Sequence, residues 1–220
     1  MTTATNRLHI DFVSDVVCPW CAIGLHSLEQ AIAKLGDDVE VAIAFQPFEL
    51  NPDLGADGEA IDEHLARKYG ASAVQLEATR EAIRQRGDAL GFRFGPRERI
   101  WNTFDAHRLL HWAALEGAGQ ARALKHALLA AYFSDGADVS DRDVLVRAAE
   151  AAGLDGTRAR AVLASGEYAD AVREREASWA AKGIHSVPAV IINDRYLISG
   201  GQPVEVFEGA LRSVLAGREE

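Results

Sequence analysis

The sequence predicts an α/β fold carrying a large helical insertion, and three observations predict it. Residues 8–45 read strand, helix, strand; residues 189–214 read strand, strand, helix; residues 58–165 between them show helical periodicity and almost no strand signal.

Each element has its own justification. Leu8, Ile10 and Phe12 alternate with His9, Asp11 and Val13, the period of two of a strand with at least one buried face. Leu25, Leu28, Ile32 and Leu35 then recur at steps of three and four, one apolar helical stripe, and Gly36 follows as a left-handed stop. Val39, Val41, Ile43 and Phe45 alternate again, and "FQPFELNPDL" ends that strand with two prolines. At the far end, a helix over residues 168–182 closes at Gly183. "VPAVIIND" is a buried, β-branched strand, and Asn193-Asp194 is turn chemistry leading into "RYLISG", which makes a hairpin. Pro203 suits the first turn of a last helix whose Val204, Phe207, Leu211 and Val214 share a face. In the middle, "PRERIWNTFDAHRLLHWAALEG", "ARALKHALLAAYFSDG" and "SDRDVLVRAAEAAG" are helical, the last with Ser140 and Asp143 as a capping box.

Composition narrows the class. With 220 residues, 48% of them apolar and 25% charged, the chain buries a full core without needing a disulfide to fold. A net charge of -10 argues against nucleic acid or an anionic membrane as partner, since phosphate-gripping proteins show a basic face. Residues 1–12 hold no apolar run of leader length, and nowhere do eighteen uncharged apolar residues follow one another, so the expected location is the cytoplasm.

Both cysteines lie in "SDVVCPWCAIG", residues 14–24. In a reducing compartment such a pair binds a metal, works as a catalyst or senses redox state more often than it braces a fold. A closed zinc site needs four ligands, and two cysteines without a suitably spaced histidine pair do not supply them, so no metal is expected. Cys18 falls where the first strand hands over to a helix, and Pro19, lacking an N–H, fits the first helical position. There the unpaired N–H groups and the positive dipole end favour an anion, which makes Cys18 the expected attacking thiolate. Cys21, one turn on and nearer the interior, is the expected resolving thiol.

The order β-α-β then β-β-α, with Cys-x-x-Cys at the first strand–helix junction, is that of a thioredoxin-like fold. Together "CPWC", "NTFDAHRLLHWA", "AYFSDGADVSDRDVL" and "GIHSVPAVIIN...YLISGGQP" resemble the DsbA-related, FrnE-like thiol–disulfide oxidoreductases, and these stretches spread over most of the chain. The resemblance implies a thioredoxin-like domain split into residues 1–57 and 166–220, with residues 58–165 as the helical insertion. It implies a cis Val187–Pro188 bond lying against Cys18 and Cys21 and leaving the preceding backbone free to pair with a bound peptide. Pro188 thus joins the two cysteines as an expected catalytic residue, and Pro19, Trp20 and Val187 are the expected substrate contacts. Ser186 stands where relatives often carry glycine, which leaves the local backbone path open.

No cofactor beyond the redox pair is implied; the partner is a thiol- or disulfide-bearing protein or small molecule, with glutathione as a possible co-substrate. The alternative of another class is a glutathione-dependent isomerase or transferase related to 2-hydroxychromene-2-carboxylate isomerase and kappa-class glutathione transferase. Those relatives typically carry serine at the position of Cys18 and lack the second thiol, so the retained pair favours redox work; a zinc or protein-binding module is the third reading. Several residues keep two readings. Asp15 is a proton acceptor for Cys21 if buried, or a solvated turn residue. Trp20 is an apolar landing surface or a cover for the helix end, and His185 is a thiolate stabiliser or an exposed loop residue. Asn102 and His107 serve helix capping and packing or touch substrate; His107 and His111, four apart, read as packed or rim residues. Trp101, Trp112, Tyr132, Phe133 and Trp179 are expected in the core of the helical subdomain.

Overall fold

In the computed structural model, residues 6–55 and 57–217 are described; residues 1–5, where part of the leader argument lies, fall outside them. The strand read from Leu8, Ile10 and Phe12 is β1 (Asn6–Ser14), followed by α1 (Pro19–Ala33) and β2 (Val39–Pro47). After α1 the chain turns through Gly36 at φ +90°, a conformation open to glycine at little cost. β1 and β2 pair in parallel in strict register from Asn6 with Val39 to Ser14 with Pro47, and Phe12 meets Phe45 edge to face with ring centroids 6.2 Å apart.

The helical segment contains α2 (Ile61–Tyr69), α3 (Ala73–Ala89), α4 (Phe104–Glu116), α5 (Ala118–Phe133), α6 (Arg142–Ala151) and α7 (Gly156–Ala164). Two short strands lie inside it, β3 (Glu59–Ala60) and β4 (Arg99–Ile100), paired antiparallel. The stretch from Pro96 to Thr103 is therefore not helical, and α4 begins only where the Asn102 side chain accepts from the Phe104 N–H at 2.9 Å. The cap of α6 also differs from the expected box. Asp141, not Ser140, accepts from the first-turn N–H groups of Asp143 and Val144, at 2.8 and 3.0 Å, while Ser140 is itself held by Asp138. An aspartate one residue later satisfies the same orphan donors and adds its charge to the positive helix end.

The chain returns through α8 (Ala169–Ala181), β5 (Ala189–Ile192), β6 (Tyr196–Ser199) and α9 (Val204–Leu215). The turn between the last two strands places Asn193 and Asp194 at φ 51° and 56°, the paired positive values of a tight hairpin. The four-stranded sheet runs β2-β1-β5-β6, with β5 antiparallel to both β1 and β6. This is a thioredoxin-like fold with a helical insertion.

The alternation of β1 and β5 distributes side chains to two faces. Leu8, Ile10, Phe12, Val190 and Ile192 join one hydrophobic cluster that also takes in α1, α9 and the helical segment. Val13, Ala189 and Ile191 face the other way, against Trp179 of α8 and Ile184. Trp179 thus caps the second sheet face instead of the helical core expected for it, because α8 lies across that face; Trp112, Tyr132 and Phe133 are buried in the main cluster, and Trp101 is half-buried against it. Among the described residues no helix is long and apolar enough to cross a membrane.

Candidate active site

Cys18 is the N-cap of α1, in extended conformation at φ −91° and ψ 113°, and Pro19 takes the first helical position. Its carbonyl accepts the first helical bonds, from Cys21 N at 3.0 Å and Ala22 N at 3.2 Å, so the chain enters the helix at the residue itself. The sulfur accepts no hydrogen bond from the first turn. Both thiols are free; Cys18 shows 4% of its surface and Cys21 none, so Cys18 is the residue of the pair that a partner can reach. The opening is much narrower than an exposed helix start provides. Burial pushes the Cys21 thiol well above its ordinary range, Cys18 beside it pushes the same way, and Lys125 and the Asp15 backbone oppose them.

What narrows the opening is the loop before β5. The Val187–Pro188 bond is cis, and the Val187 carbonyl oxygen lies 3.8 Å from Cys18 Sγ, at the reach of a weak S–H donor. Gly24 lets this loop close on α1, and Gly201 lets the loop after β6 do the same. A methyl group on Gly24 would lie 3.1 Å from Pro188 Cγ, and one on Gly201 only 2.6 Å from the Trp20 carbonyl oxygen. The Gly201 carbonyl in turn accepts from Arg86 of α3 at 2.7 Å, and the same guanidinium stands 5.4 Å above the Trp20 ring. Trp20 is half-buried, with its apolar body on the core and the rest in the open, and Pro19 is half-buried beside it.

Beneath the pair sits a set of buried polar groups that two distant elements bring together. Asp15 is fully buried; its Oδ2 accepts from Leu50 N at 2.8 Å, and its Oδ1 stands 3.4 Å from Nε2 of His107 on α4. Burial drives the Asp15 carboxyl upward, but His107, the Leu50 N–H and Thr103 together outweigh it, and its pKa lies below the ordinary value. Asp15 is therefore buried, as its proton-acceptor reading requires, with Oδ2 engaged by the Leu50 N–H and Oδ1 left without a hydrogen-bond partner. Lys125 on α5 is also buried, with no hydrogen-bond partner on Nζ. Burial lowers its pKa, while Cys21, Asp15 and Cys18 pull it up.

On the outer side, Lys68 at the end of α2 donates to the Leu50 carbonyl and to Asn51 Oδ1, both at 2.7 Å; burial lowers its pKa, against the pull of Asp15 and Cys18. The loop holding Leu50 is pinned by buried Glu49, which pairs with Arg173 of α8 and accepts from Asn102 at 3.4 Å. Asn102 thus serves the start of α4 and the Glu49 loop. His185 and Ser186 are exposed. His111, one turn beyond His107 on α4, is half-exposed, its ring 5.3 Å from that of Tyr168. Among the described residues no group of three or more His, Cys, Asp or Glu is placed to hold a metal ion.

Lys68 and Lys125 were not singled out from the sequence. For Lys125 a signal existed: Ala121, Leu128 and Leu129 stand four before, three after and four after it, so the lysine lies on the buried stripe of its own helix.

The DSBA-like thioredoxin domain family matches this chain over residues 9–212. The uncharacterized protein YwbO of Bacillus subtilis (strain 168) is 28% identical over 206 residues, 93% of this chain and 96% of its own length. The crystal structure of the probable DsbA oxidoreductase SCO1869 from Streptomyces coelicolor matches with a TM-score of 0.87 at 36% identity, covering 97% of this chain and 92% of that one. The cytosolic disulfide reductase DsbM from Pseudomonas aeruginosa, solved with GSH, shares the fold at a TM-score of 0.63 and 18% identity, with 94% and 99% of the two chains covered.

Proposed function

This chain belongs to the DSBA-like thioredoxin domain family, and we propose that within it the chain is an FrnE-like dithiol–disulfide oxidoreductase working in the cytoplasm through Cys18 and Cys21. The observation that carries the reading is the placement of the two sulfurs. One is at a helix start beside the Val187–Pro188 loop and slightly open; the other is one turn in, fully covered.

In the reductive direction Cys18 attacks as the thiolate one sulfur of a substrate disulfide. The substrate S–S bond breaks, the departing thiolate takes a proton from solvent, and a Cys18–substrate mixed disulfide forms. Cys21 then gives up its proton, attacks the Cys18 sulfur and expels the second substrate thiolate. Two electrons pass from the dithiol to the substrate, and the pair is left as a disulfide. Run backward, the same steps oxidise a substrate dithiol. The positive end of α1 favours the negative charge that Cys18 carries between steps. The Val187–Pro188 backbone lies along the substrate chain, and Pro19 and Trp20 offer an apolar surface beside it. The high pKa of Cys21 keeps it protonated until a mixed disulfide is in place, which holds off a wasteful second attack. Glutathione is a fitting small thiol for the second half-reaction, as the DsbM structure with GSH on the same fold suggests.

The test is turnover of insulin disulfides with glutathione as the reducing thiol. Cys18→Ser is expected to lower the rate by about a hundredfold or more, because the nucleophile is gone. Cys21→Ser, mixed with insulin before glutathione is added, is expected to hold a Cys18–insulin-chain mixed-disulfide adduct visible in the intact mass. Full activity in Cys18→Ser, or no adduct in Cys21→Ser, overturns the reading.

A further inference from the structure

Between the edge strand β2 and the helices α4, α5 and α8 lies a cavity of about 290 Å³ whose inner end shares His107 and Lys125 with the polar groups beneath the cysteine pair. Its rim carries exposed Leu115 and Arg175 and half-exposed His111, and its lining runs down to buried Ala121, His107 and Lys125. Four basic residues line it and no acidic one does, in a chain whose net charge is -10. The imbalance is local and only partly relieved, by Asp15 behind the wall. Lys125 Nζ is buried without a hydrogen-bond partner, and Arg175 makes no hydrogen bond or ion pair among the described residues. His107 Nε2 is buried with only the long 3.4 Å approach to Asp15.

An uncompensated buried ammonium is costly, and the stable arrangements supply it with an anion. Apart from Gln46, whose amide nitrogen is engaged by Asp11, the rest of the wall is apolar, with Ile43, Phe45 and Leu110 its largest side chains. Such a wall takes an apolar body, and the volume, at the low end for ligand pockets, limits that body to one small ring or a short chain. Inorganic oxyanions match the charge but leave the apolar wall unused and lose strong hydration on entering.

We propose that this cavity is a binding site for a small amphipathic monocarboxylate, about the size of benzoate, with its carboxylate on Lys125 and its hydrocarbon against β2 and α4. Arg175 at the rim steers the anion inward. The site does not depend on the redox reading, since its occupancy is read without turnover.

Isothermal titration of the full chain with sodium benzoate tests it, with benzyl alcohol and inorganic phosphate as the parallel arms. Benzoate is expected to bind one to one and saturably, at least about tenfold tighter than either control, because only it uses both the charge and the wall. Lys125→Met, close in length and apolar, is expected to weaken benzoate about tenfold or more. Arg175→Gln, an exposed change that spares the core, is expected to weaken it about threefold, with the difference vanishing at high salt. The site is rejected if benzoate shows no saturable binding up to about 10 mM, a range that admits even weak ligands. It is equally rejected if benzyl alcohol binds as well as benzoate, or if folded Lys125→Met or, should that variant fail to fold, Arg175→Gln binds benzoate as tightly as the unaltered chain.

Discussion

Asp15 and Cys21 carry opposite electrostatic fates a few residues apart. The carboxyl of Asp15 is held below its ordinary pKa, so it binds fewer protons folded than unfolded. Its contribution to stability is then present above the unfolded value and is lost as pH falls through the lower folded one. Asp15→Asn is expected to cost about 2 kcal/mol or more near neutrality, by leaving His107 and Leu50 with a weaker partner. That cost shrinks toward zero in acid, where the carboxylate is protonated in both states. Urea titrations of the two proteins at several pH values check this; a difference that does not change with pH contradicts it. For Cys21 the sign runs the other way for reactivity. In Cys18→Ser, iodoacetamide is expected to label Cys21 slowly at neutral pH and increasingly fast in alkali, since burial alone, the first cause of its raised pKa, survives the substitution. Labelling at neutral pH at the rate of a free cysteine would count against the raised pKa.

Among the elements, the contact between α1 and the two loops that cover it is the one that shapes the site. Gly201 has ordinary negative-side freedom and is required for space, because any β-carbon there runs into the Trp20 carbonyl at 2.6 Å, and that oxygen belongs to helix backbone and cannot rotate away. Gly201→Ala is expected to push the loop off α1, cost about 1–3 kcal/mol by overpacking, and raise the labelling rate of Cys18 as the roof lifts. A melting temperature and a Cys18 labelling rate both unchanged would show that the loop has slack. The cap of α6 is a cleaner case. Asp141→Ala is expected to cost about 1 kcal/mol, read from the denaturant midpoint, and Ser140→Ala much less, since Asp141 and not Ser140 receives the first-turn N–H groups.

For the whole molecule, the inserted helices and the α/β frame share a single hydrophobic cluster, in which Ile10 and Val190 of the sheet belong with Leu128 and Phe133 of the insertion. A core that is continuous across the join is expected to unfold as a unit. Tryptophan fluorescence reports mainly on Trp101 and Trp112 in the insertion, Trp20 at its border and Trp179 on the far sheet face, and far-ultraviolet circular dichroism reports on all the helices. Their urea transitions should coincide, and two separated transitions would show that the helical segment is stable by itself.

The sequence by itself determined what depends on near neighbours. The strand–helix–strand opening, the hairpin at Asn193-Asp194, the stop at Gly36 and the place of Cys18 at the start of α1 all follow from periodicity, turn chemistry and one proline, which act within a few residues. Local patterns also misled where a local competitor was close: Asp141 displaced Ser140 as a cap, and the Asn102 side chain started α4 later than its apolar spacing implies. Tertiary structure alone decided what the buried charged groups face. Nothing near Asp15 in the chain announces His107, nothing near Lys125 announces Cys21, and the narrowness of the opening at Cys18 comes from Val187, far along the sequence. The physical reason is that desolvation and electrostatic pairing depend on every group within several ångströms in space, and that neighbourhood exists only once distant elements have packed.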